Sequence, residues 1–403
     1  MTISGVIKQV ISTIKENYIV SLYAIVAVWA VIGPLPSLPS IIVYVVPLIY
    51  SSYCLSKPHK TSMLILAMLL YIPFELLMAQ PSGVFQSWSR YVLFASVIIN
   101  VSPLFQSEEH RRNRIHILRI VLWTCVFIGV GSFFARFLGI NYMVVNNSTF
   151  AFQTGLFGGF TKHSMMLGPI AGISAIYMLG KAFETKQKIY WILMVLSLFS
   201  VFFAASRSAL MATIAGLAIS LYRLSGTSSK FLKISLVGLV LASSTFSIWG
   251  SALDNVIEKN KGNSSSLNMD SRQIYWDARM DEFYSSPVIG VGFCAADETA
   301  VGVDVVTGII ESGSSWIIVF SMLGIVGACI VIPIFIKAFR SVFRERDFQS
   351  AVVCGVLCLF FVHMFAEGYV FAGGSFLAFM LWLFVGIAID NNYKSNNEVS
   401  IFQ

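Results

Sequence analysis

The chain has 403 residues, of which 57% are hydrophobic and only 12% charged, and its formal net charge is +7. Soluble domains usually contain about 25% charged residues, so this composition excludes a soluble enzyme, and its hydrophobicity excludes a disordered chain. An integral membrane protein with many spans remains. Its apolar runs are continuous, whereas the strands of an outer-membrane barrel alternate apolar and polar residues, so we expect helices.

Twelve apolar stretches predict membrane-spanning helices, each of which needs about 20 apolar residues to cross a bilayer. In chain order these stretches are 18–34, 39–55, 62–79, 91–105, 118–138, 164–180, 189–205, 209–222, 232–250, 312–335, 349–371 and 374–390. Residues 189–222 are divided because Ser206-Arg207-Ser208 interrupts a run that is too long for one span. We therefore predict an all-α integral membrane protein of about twelve transmembrane helices, with residues 1–403 forming a single polytopic domain.

Lys and Arg residues set the predicted orientation, because they are enriched in cytoplasmic loops. With the N-terminus in the cytoplasm, most of the 27 Lys and Arg residues fall in short cytoplasmic segments, Arg111, Arg112 and Arg114 among them. An even number of spans places the C-terminus on the same side. Two longer segments, 139–162 and 251–311, then lie outside the cytoplasm.

The segment 251–311 is a polar loop with a predicted helix inside it. Asp270 is placed as the helix N-cap, and Ser286-Pro287 ends the helix. Long loops with structure of their own are usually functional. The chain shows no internal repeat, no nucleotide-binding motif and no Cys/His cluster spaced for a metal. We therefore expect no cofactor, no metal and no nucleic-acid partner.

Arg207 lies between two serines and between two apolar runs, near the predicted outer edge of the membrane. An arginine in this position is costly unless it has a function or reaches the lipid headgroups. Ser206 or Ser208 can cap the following helix, whose N-terminus adds partial positive charge. Together these groups form an anion site that suits a phosphate.

Arg272 and Arg279 are seven residues apart and so share one face of the predicted helix. Two guanidinium groups on one face match a diphosphate, because each can donate two hydrogen bonds in a fork. Tyr275 and Trp276 lie between them and are candidates for contact with a sugar ring or an isoprenoid chain. A solvated amphipathic helix, with Asp277 and Asp281 as counter-ions, is the alternative.

Three further residues are candidates for proton transfer, namely Glu311, Glu367 and His163. A carboxylate at a membrane segment is a functional hypothesis by default, and Glu311 or Glu367 could remove a proton from a sugar hydroxyl. Either glutamate could equally be a structural partner for Arg207 or Arg272. His163 could act as a base or bind phosphate, although a lone histidine is more often structural. Glu75 is a weaker candidate, and Arg90 and Arg136 are interpreted as headgroup contacts.

Three stretches resemble the superfamily of O-antigen ligases and O-antigen or exopolysaccharide polymerases. They are AASRSALMATIAG (204–216), SRQIYWDARMDEFYSSPVIGVGF (271–293) and GLFGGFTKHSMMLGPIAGI (155–173). The stretch HMFAEGYVFAGGSFLAFMLWLFVG (363–386) is similar to the closing helix pair of the polymerases. The resemblance covers roughly residues 150–390, so the predicted spans before residue 150 rest on hydropathy alone.

The resemblance implies a GT-C type fold, a periplasmic active site in the bacterial inner membrane and a glycan on undecaprenyl diphosphate as donor. It also implies that Arg207 and Arg272 contact the diphosphate, with no metal needed. Ligases typically carry a histidine near the end of the large loop, whereas IIESGSSWIIVFSMLGIVG (309–327) contains Glu311 and no histidine. We therefore expect an O-antigen polymerase, or a close exopolysaccharide relative. Its partners would be undecaprenyl-diphosphate-linked glycans and the lipid bilayer, with a chain-length regulator left open.

Three other functions stay open at this point. An O-antigen ligase would move finished glycan to lipid A–core. A polysaccharide flippase would be expected to place charges along a central path and often to show two similar halves, and this sequence shows neither. A scaffold in a polysaccharide complex is neither supported nor excluded by the sequence.

Overall fold

The computed structural model describes residues 17–143, 157–233, 235–236, 270–345 and 347–390. Within these ranges the helices are α1 Tyr18–Trp29, α2 Ser40–Leu55, α3 Met63–Ala79, α4 Ser87–Val101, α5 Glu108–Phe137, α6 Ser164–Thr185, α7 Lys188–Phe203, α8 Arg207–Ser225, α9 Asp270–Ser285, α10 Ser315–Arg344, α11 Phe348–His363 and α12 Phe376–Asp390. A single turn of 3₁₀ helix covers Gly83–Phe85. Two short antiparallel pairs join β1 Lys60–Thr61 to β2 Phe105–Gln106 and β3 Val303–Asp304 to β4 Ile309–Ile310.

Eleven of the predicted apolar stretches each overlap one of these helices. Most of the twelfth, 232–250, lies outside the described residues, as do 251–269 of the predicted large loop and 144–156 of the second loop. Four described helices, α5, α6, α8 and α10, are long and apolar enough to cross a membrane by length and composition. The all-helical, apolar architecture is compatible with an integral membrane protein, while the number of spans and the GT-C fold stay predictions.

Small residues allow three helices in the second half of the chain, α6, α8 and α11, to pack tightly together. A Cβ added at Gly168 or Gly172 of α6 would lie 2.5 Å from Ala209 Cβ and 2.3 Å from Thr213 Oγ1 of α8, respectively. Small side chains at helix contacts allow such close approach in membrane proteins. The advance of four residues on each helix shows that α6 and α8 run parallel, so both begin at the same end of the bundle.

The start of α10 lies at this same end. Gly216 of α8 packs on the Gly355 carbonyl of α11, and Ser220 donates a hydrogen bond to the Ala351 carbonyl, so these two helices are antiparallel. The Ser315 backbone N–H, at the start of α10, donates to the Met364 carbonyl just after α11 ends. We call this end, where α6, α8 and α10 begin and α11 ends, the site end. The opposite end, where α6, α8 and α10 end and α11 begins, is called the basic end.

Arg114 closes the basic end. Its predicted place is a short cytoplasmic segment, but it lies inside α5 and is fully buried. Its Nε and Nη2 atoms lie 2.6 and 2.8 Å from the two carboxylate oxygens of Asp390, the last residue of α12. Arg114 also donates to the carbonyls of Ser102 and Phe105. A guanidinium with two forked bonds to a carboxylate and two further acceptors is the arrangement that allows a charge to be buried.

Part of the predicted 251–311 loop does not stay at the surface. Residues 287–292 lie in extended contact with a break in α10 at Gly324, where φ is +62°. The Val291 N–H donates to the Ser321 carbonyl at 2.9 Å, and the Ile325 N–H donates to the Pro287 carbonyl at 2.9 Å. Since Ser321 is six residues into α10, this contact lies about 9 Å below the helix start. Irregular backbone at such depth is tolerated where it is buried in protein and its hydrogen bonds are satisfied.

Glu75 of α3 secures the end of this re-entrant segment. Its Oε2 atom accepts a hydrogen bond from the Phe293 N–H at 3.0 Å, and both side chains are fully buried. The Phe293 ring packs beside those of Phe94 and Phe371, with centroids 5.4 and 5.5 Å away. The geometry therefore gives Glu75 a structural contact to the loop backbone.

Candidate active site

The predicted helix in the large loop is present as α9, Asp270–Ser285, and it docks on the hairpin formed by β3 and β4. The Trp276 Nε1 atom donates to the Gly313 carbonyl at 3.1 Å. A Cβ on Gly302 would lie 2.7 Å from the Tyr275 ring, so only glycine permits this approach, and its φ of +85° also favours glycine. Tyr275 and Trp276 are both half-buried and hold α9 on the hairpin. Their contact with a sugar or lipid stays a prediction.

The hairpin delivers Glu311 to the side chain of Arg272. Glu311 directly follows β4, and its N–H donates to the Gly302 carbonyl at 2.7 Å. One oxygen of Glu311 pairs with Nη1 of Arg272. The side chain of Glu311 is 46% exposed, so an anionic ligand can displace this carboxylate from Arg272.

Ser315 delivers Glu367 to the same guanidinium. The loop that carries Glu367 follows α11, which ends at His363, and it wraps around the first residue of α10. The Ser315 Oγ atom donates to the Glu367 carbonyl at 2.6 Å and accepts from the Tyr369 N–H at 2.9 Å. Oε1 of Glu367 then lies 2.8 Å from Nη2 of Arg272.

Arg272, Glu311 and Glu367 thus form one charged cluster at the site end. Side-chain exposure is 23% for Arg272 but only 12% for Glu367, so Glu367 is the enclosed member. Burial raises the pKa of Glu367 to about 7, against the opposing effect of Arg272 and with a further rise from the negative charge of Glu311. Of the two roles that the sequence left open for the glutamates, the resting structure shows partnership with Arg272. The raised pKa of Glu367 also suits a proton acceptor.

Arg279 does not join this cluster, contrary to the expected pair of arginines. Seven residues along a helix separate the two positions by about 10 Å, and the Arg279 side chain is fully buried. Its Nη1 atom lies 2.9 Å from Oε1 of Glu282, which also accepts from the Asp297 N–H. This contact is an ion pair without hydrogen-bond geometry, and none of the guanidinium nitrogens of Arg279 has a hydrogen-bond partner among the described residues. The arrangement braces α9 against the following loop and leaves Arg279 out of reach of a ligand in this state.

Arg207 begins α8 at the site end, and its place near the outer edge of the membrane stays a prediction. Of the two candidate caps, Ser206 is the one used, since its Oγ accepts from the Ala209 N–H. The preceding Ala205 has a φ of +50°, an unusual value for alanine that makes the α7–α8 turn abrupt. The Arg207 side chain is half-buried, beside a helix N-terminus that favours anions.

His163 caps α6, also at the site end. Its Nδ1 atom accepts from the Met165 N–H at 3.1 Å, and its own carbonyl accepts from Thr161 Oγ1 at 2.8 Å. The side chain is exposed. This is a structural contact for one ring nitrogen, and a role for His163 in proton transfer stays a prediction.

Residues 192–332 match the O-antigen ligase family (Wzy_C). The matched segment is about a third of the chain and contains Arg207, Arg272 and Glu311. It confirms the resemblance to the O-antigen polymerase and ligase superfamily, and it supports a membrane enzyme of polysaccharide processing. The match does not separate polymerase from ligase. Among curated proteins, no match was found.

Glu367 and its supporting loop lie beyond the matched segment, and sequence reasoning did not identify what holds them. Ser315 is the residue that it missed. A signal was present, because Ser312, Ser314 and Ser315 directly precede an apolar run, which is a pattern typical of helix N-termini. Ser314 is the N-cap of α10, and the adjacent Ser315 holds the loop.

His363 lies under the cluster without reaching the surface. It is fully buried, and its Nδ1 atom lies 3.3 Å from the Tyr369 hydroxyl. Within the described residues, no three His, Cys, Asp or Glu side chains lie close enough together to hold a metal ion. The chemistry that the described cluster offers is anion binding by Arg272 and proton acceptance by a carboxylate.

Proposed function

We propose that this chain is an O-antigen polymerase with a GT-C type fold, which joins undecaprenyl-diphosphate-linked oligosaccharide repeats at the periplasmic face of the bacterial inner membrane. The observation that carries the proposal is the placement of Arg272 between Glu311 and Glu367, at the bundle end where Arg207 begins α8. An arginine and a helix N-terminus suit a diphosphate, and the carboxylates suit an attacking hydroxyl.

Arg272 would stabilise the leaving group. A guanidinium aimed at the oxygens where charge develops lowers the barrier to departure. The more exposed Glu311 gives up its contact with Arg272 when the diphosphate arrives. Arg207 and the N-terminus of α8 contribute further positive charge.

Glu367 would accept the proton. The acceptor hydroxyl oxygen forms a bond to the anomeric carbon of the donor sugar, and the bond from that carbon to the diphosphate oxygen breaks. The hydroxyl proton passes to the Glu367 carboxylate and from there to solvent, while undecaprenyl diphosphate leaves as an anion. Of the two carboxylates, Glu367 fits this step better, because burial raises its pKa to about 7.

An O-antigen ligase is the second candidate, favoured by the description of the matching family. The polymerase is favoured by the stretch 309–327, which has Glu311 and no histidine where ligases typically carry one. The nearby His363 is fully buried and does not replace it at the surface.

The two functions are separated by lipopolysaccharide gels from a strain that lacks the gene, complemented with wild type, Arg272→Ala or Arg207→Ala. A polymerase deletion leaves core plus a single repeat. A ligase deletion removes even that repeat from lipid A–core, and lipid-linked polymer accumulates. An unchanged ladder in the deletion strain contradicts both functions. Where the deletion is defective, full ladders from both arginine variants would contradict the diphosphate contact.

A further inference from the structure

A pocket of about 370 Å³ lies beside the cluster, separated from it by the segment that follows β4. Ile310 and Ser312 line this pocket, whereas Glu311 between them turns to Arg272. Neighbouring residues of an extended segment point to opposite sides, so one short stretch forms a wall between two sites. The volume is within the usual range for a small-molecule site, about 300–1,000 Å³.

The pocket has a polar, exposed mouth and an apolar, buried floor. Gln86 and Ser89 at the mouth are exposed, whereas Ile318, Met322 and Phe371 at the floor are buried. A ligand that fills it would therefore have one polar end and one apolar end.

Arg90 supplies the only charge among the described residues that line this pocket. Its Nη2 atom donates to the Gly308 carbonyl at 2.7 Å, which fixes the guanidinium beside the hairpin. A backbone carbonyl does not neutralise the positive charge, and no carboxylate lines the pocket within the described residues. The polar end of the ligand would accordingly be an anion, and a phosphate matches a guanidinium well.

The mouth opens beside apolar side chains that face outward. Tyr44, which lines the pocket, is exposed, as is Ile41 one turn earlier on α2, and the exposed Trp88 directly precedes Ser89 at the mouth. Exposed apolar residues on membrane helices contact lipid, and Trp and Tyr are enriched at the membrane interface. A ligand with an apolar end can therefore enter from the bilayer.

We propose that this pocket is a second anion subsite, which binds a phosphate-bearing lipid with its phosphate on Arg90 and the adjoining part of its chain on the apolar floor. This proposal rests on the proposed function, because joining two lipid-linked repeats brings two lipid diphosphates to one enzyme. The donor diphosphate would contact Arg272, and the phosphate of the second lipid would contact Arg90. The same chemistry occurs in the headgroup of a bilayer phospholipid.

The test counts molecules of farnesyl diphosphate bound to purified full-length protein in phospholipid-free detergent, by native mass spectrometry with titration. The decisive variant is Gly374→Phe. Gly374 lines the pocket, and a Cβ there meets no atom within 4 Å, so a large side chain can narrow the pocket without a clash. Gly83→Phe is the matched control, since Gly83 is equally open and does not line the pocket.

Wild type and Gly83→Phe are expected to bind two molecules. Gly374→Phe and Arg90→Met are each expected to bind one molecule, at the Arg272 site. Combining either change with Arg272→Ala is expected to remove that molecule as well. Retained binding at the Arg272 site shows that each single variant is folded. Farnesol and inorganic diphosphate, which each lack one end of the ligand, are expected to bind the pocket at least about tenfold more weakly. Two bound molecules of farnesyl diphosphate in Gly374→Phe would overturn the proposal.

Competition identifies the source of the lipid. Displacement of pocket-bound farnesyl diphosphate by short-chain phosphatidylglycerol at equal concentration assigns the subsite to bilayer phospholipid, and lack of displacement assigns it to a lipid-linked substrate. Both results support a phosphate-bearing lipid. Because the count needs no turnover, failure of the proposed function in gels leaves this result interpretable.

Discussion

Arg272 and Arg279, two arginines on one helix, have different surroundings because of the burial of their side chains. Arg272 keeps 23% exposure and two carboxylates, one of which is open to solvent. Arg279 has no exposure, and burial lowers its pKa while raising that of Glu282 to about 7. Desolvation thus outweighs attraction within this second pair. Of the two, only Arg272 can take up a diphosphate without opening the fold.

The pH dependence of the reaction follows from Glu367. Its pKa is raised to about 7 by burial, so the carboxylate form that accepts a proton is scarce at low pH. The rate is expected to rise about tenfold per pH unit below this pKa and to level off above it. Initial rates of polymer formation between about pH 5 and 9 measure this.

Glu367→Gln removes the rising limb. Glu311→Gln is the matched control and keeps the limb, moved to lower pH because the negative charge of Glu311 raises the pKa of Glu367. A wild-type rate that does not change with pH, or a limb that persists in Glu367→Gln, contradicts the assignment of the proton acceptor.

At the scale of elements, the interrupted helix α10 is the frame of the site. Its first residue, Ser315, holds the loop of Glu367, and its break at Gly324 accepts the re-entrant residues 287–292. The re-entrant segment continues along the chain into the hairpin that carries Glu311. Both carboxylates are thus placed relative to one helix, and a loose re-entrant segment would shift Glu311 and α9 together.

Gly290→Ala tests the close fit of the re-entrant segment. Gly290 has a φ of +84°, and a Cβ there would lie 2.2 Å from the Met322 carbonyl oxygen. Backbone strain of this kind costs about 1–3 kcal/mol, and the clash adds to it. A lower unfolding temperature in detergent, with reduced activity, is the expected result. Gly83→Ala, at an open position, serves as the control. Equal unfolding temperatures for the two variants would show that the segment is not tightly held.

At the scale of the whole molecule, the two ends of the bundle are built differently. The site end carries the partly exposed cluster of Arg272, Glu311 and Glu367, whereas the basic end is closed by a buried ion pair between residues 276 positions apart in the sequence. Arg114 also binds two backbone carbonyls near β2, so it joins α5, α12 and the turn after α4.

Asp390→Ala is expected to be the most destabilising single change at the basic end, because it leaves the buried guanidinium of Arg114 without a counter-ion. Removing one partner of a buried pair typically costs about 3–5 kcal/mol. Lys57→Ala breaks the partly exposed pair with Glu109 and should leave the unfolding temperature nearly unchanged. The measurement is thermal unfolding of both variants in the same detergent. A similar small effect for both would contradict the structural role of the Arg114–Asp390 pair.

Hydropathy predicted the apolar helices, and the pattern that begins at Asp270 predicted α9, because both depend on neighbours in the sequence. Asp270, the predicted N-cap, is the first residue of that helix. The charged cluster around Arg272 depends on residues that are distant in the sequence. Arg272 meets Glu311 and Glu367 across 39 and 95 residues, and no local pattern encodes those distances. Two errors share a cause, since the buried positions of Arg114 and Arg279 are decided by helix packing rather than by charge. The sequence likewise did not predict that residues 287–292 contact the break in α10, because Pro and Gly there indicate only a turn.

The most direct measurement is turnover by purified protein in lipid nanodiscs, supplied with an undecaprenyl-diphosphate-linked repeat as the sole glycan. Wild type should release undecaprenyl diphosphate and form lipid-linked polymer without any lipid A–core. Arg272→Ala should reduce the rate by about 100- to 1,000-fold, as expected for loss of one preorganised donor to developing charge. Product that forms only when lipid A–core is added, or a full rate from Arg272→Ala, would contradict a polymerase that works through Arg272.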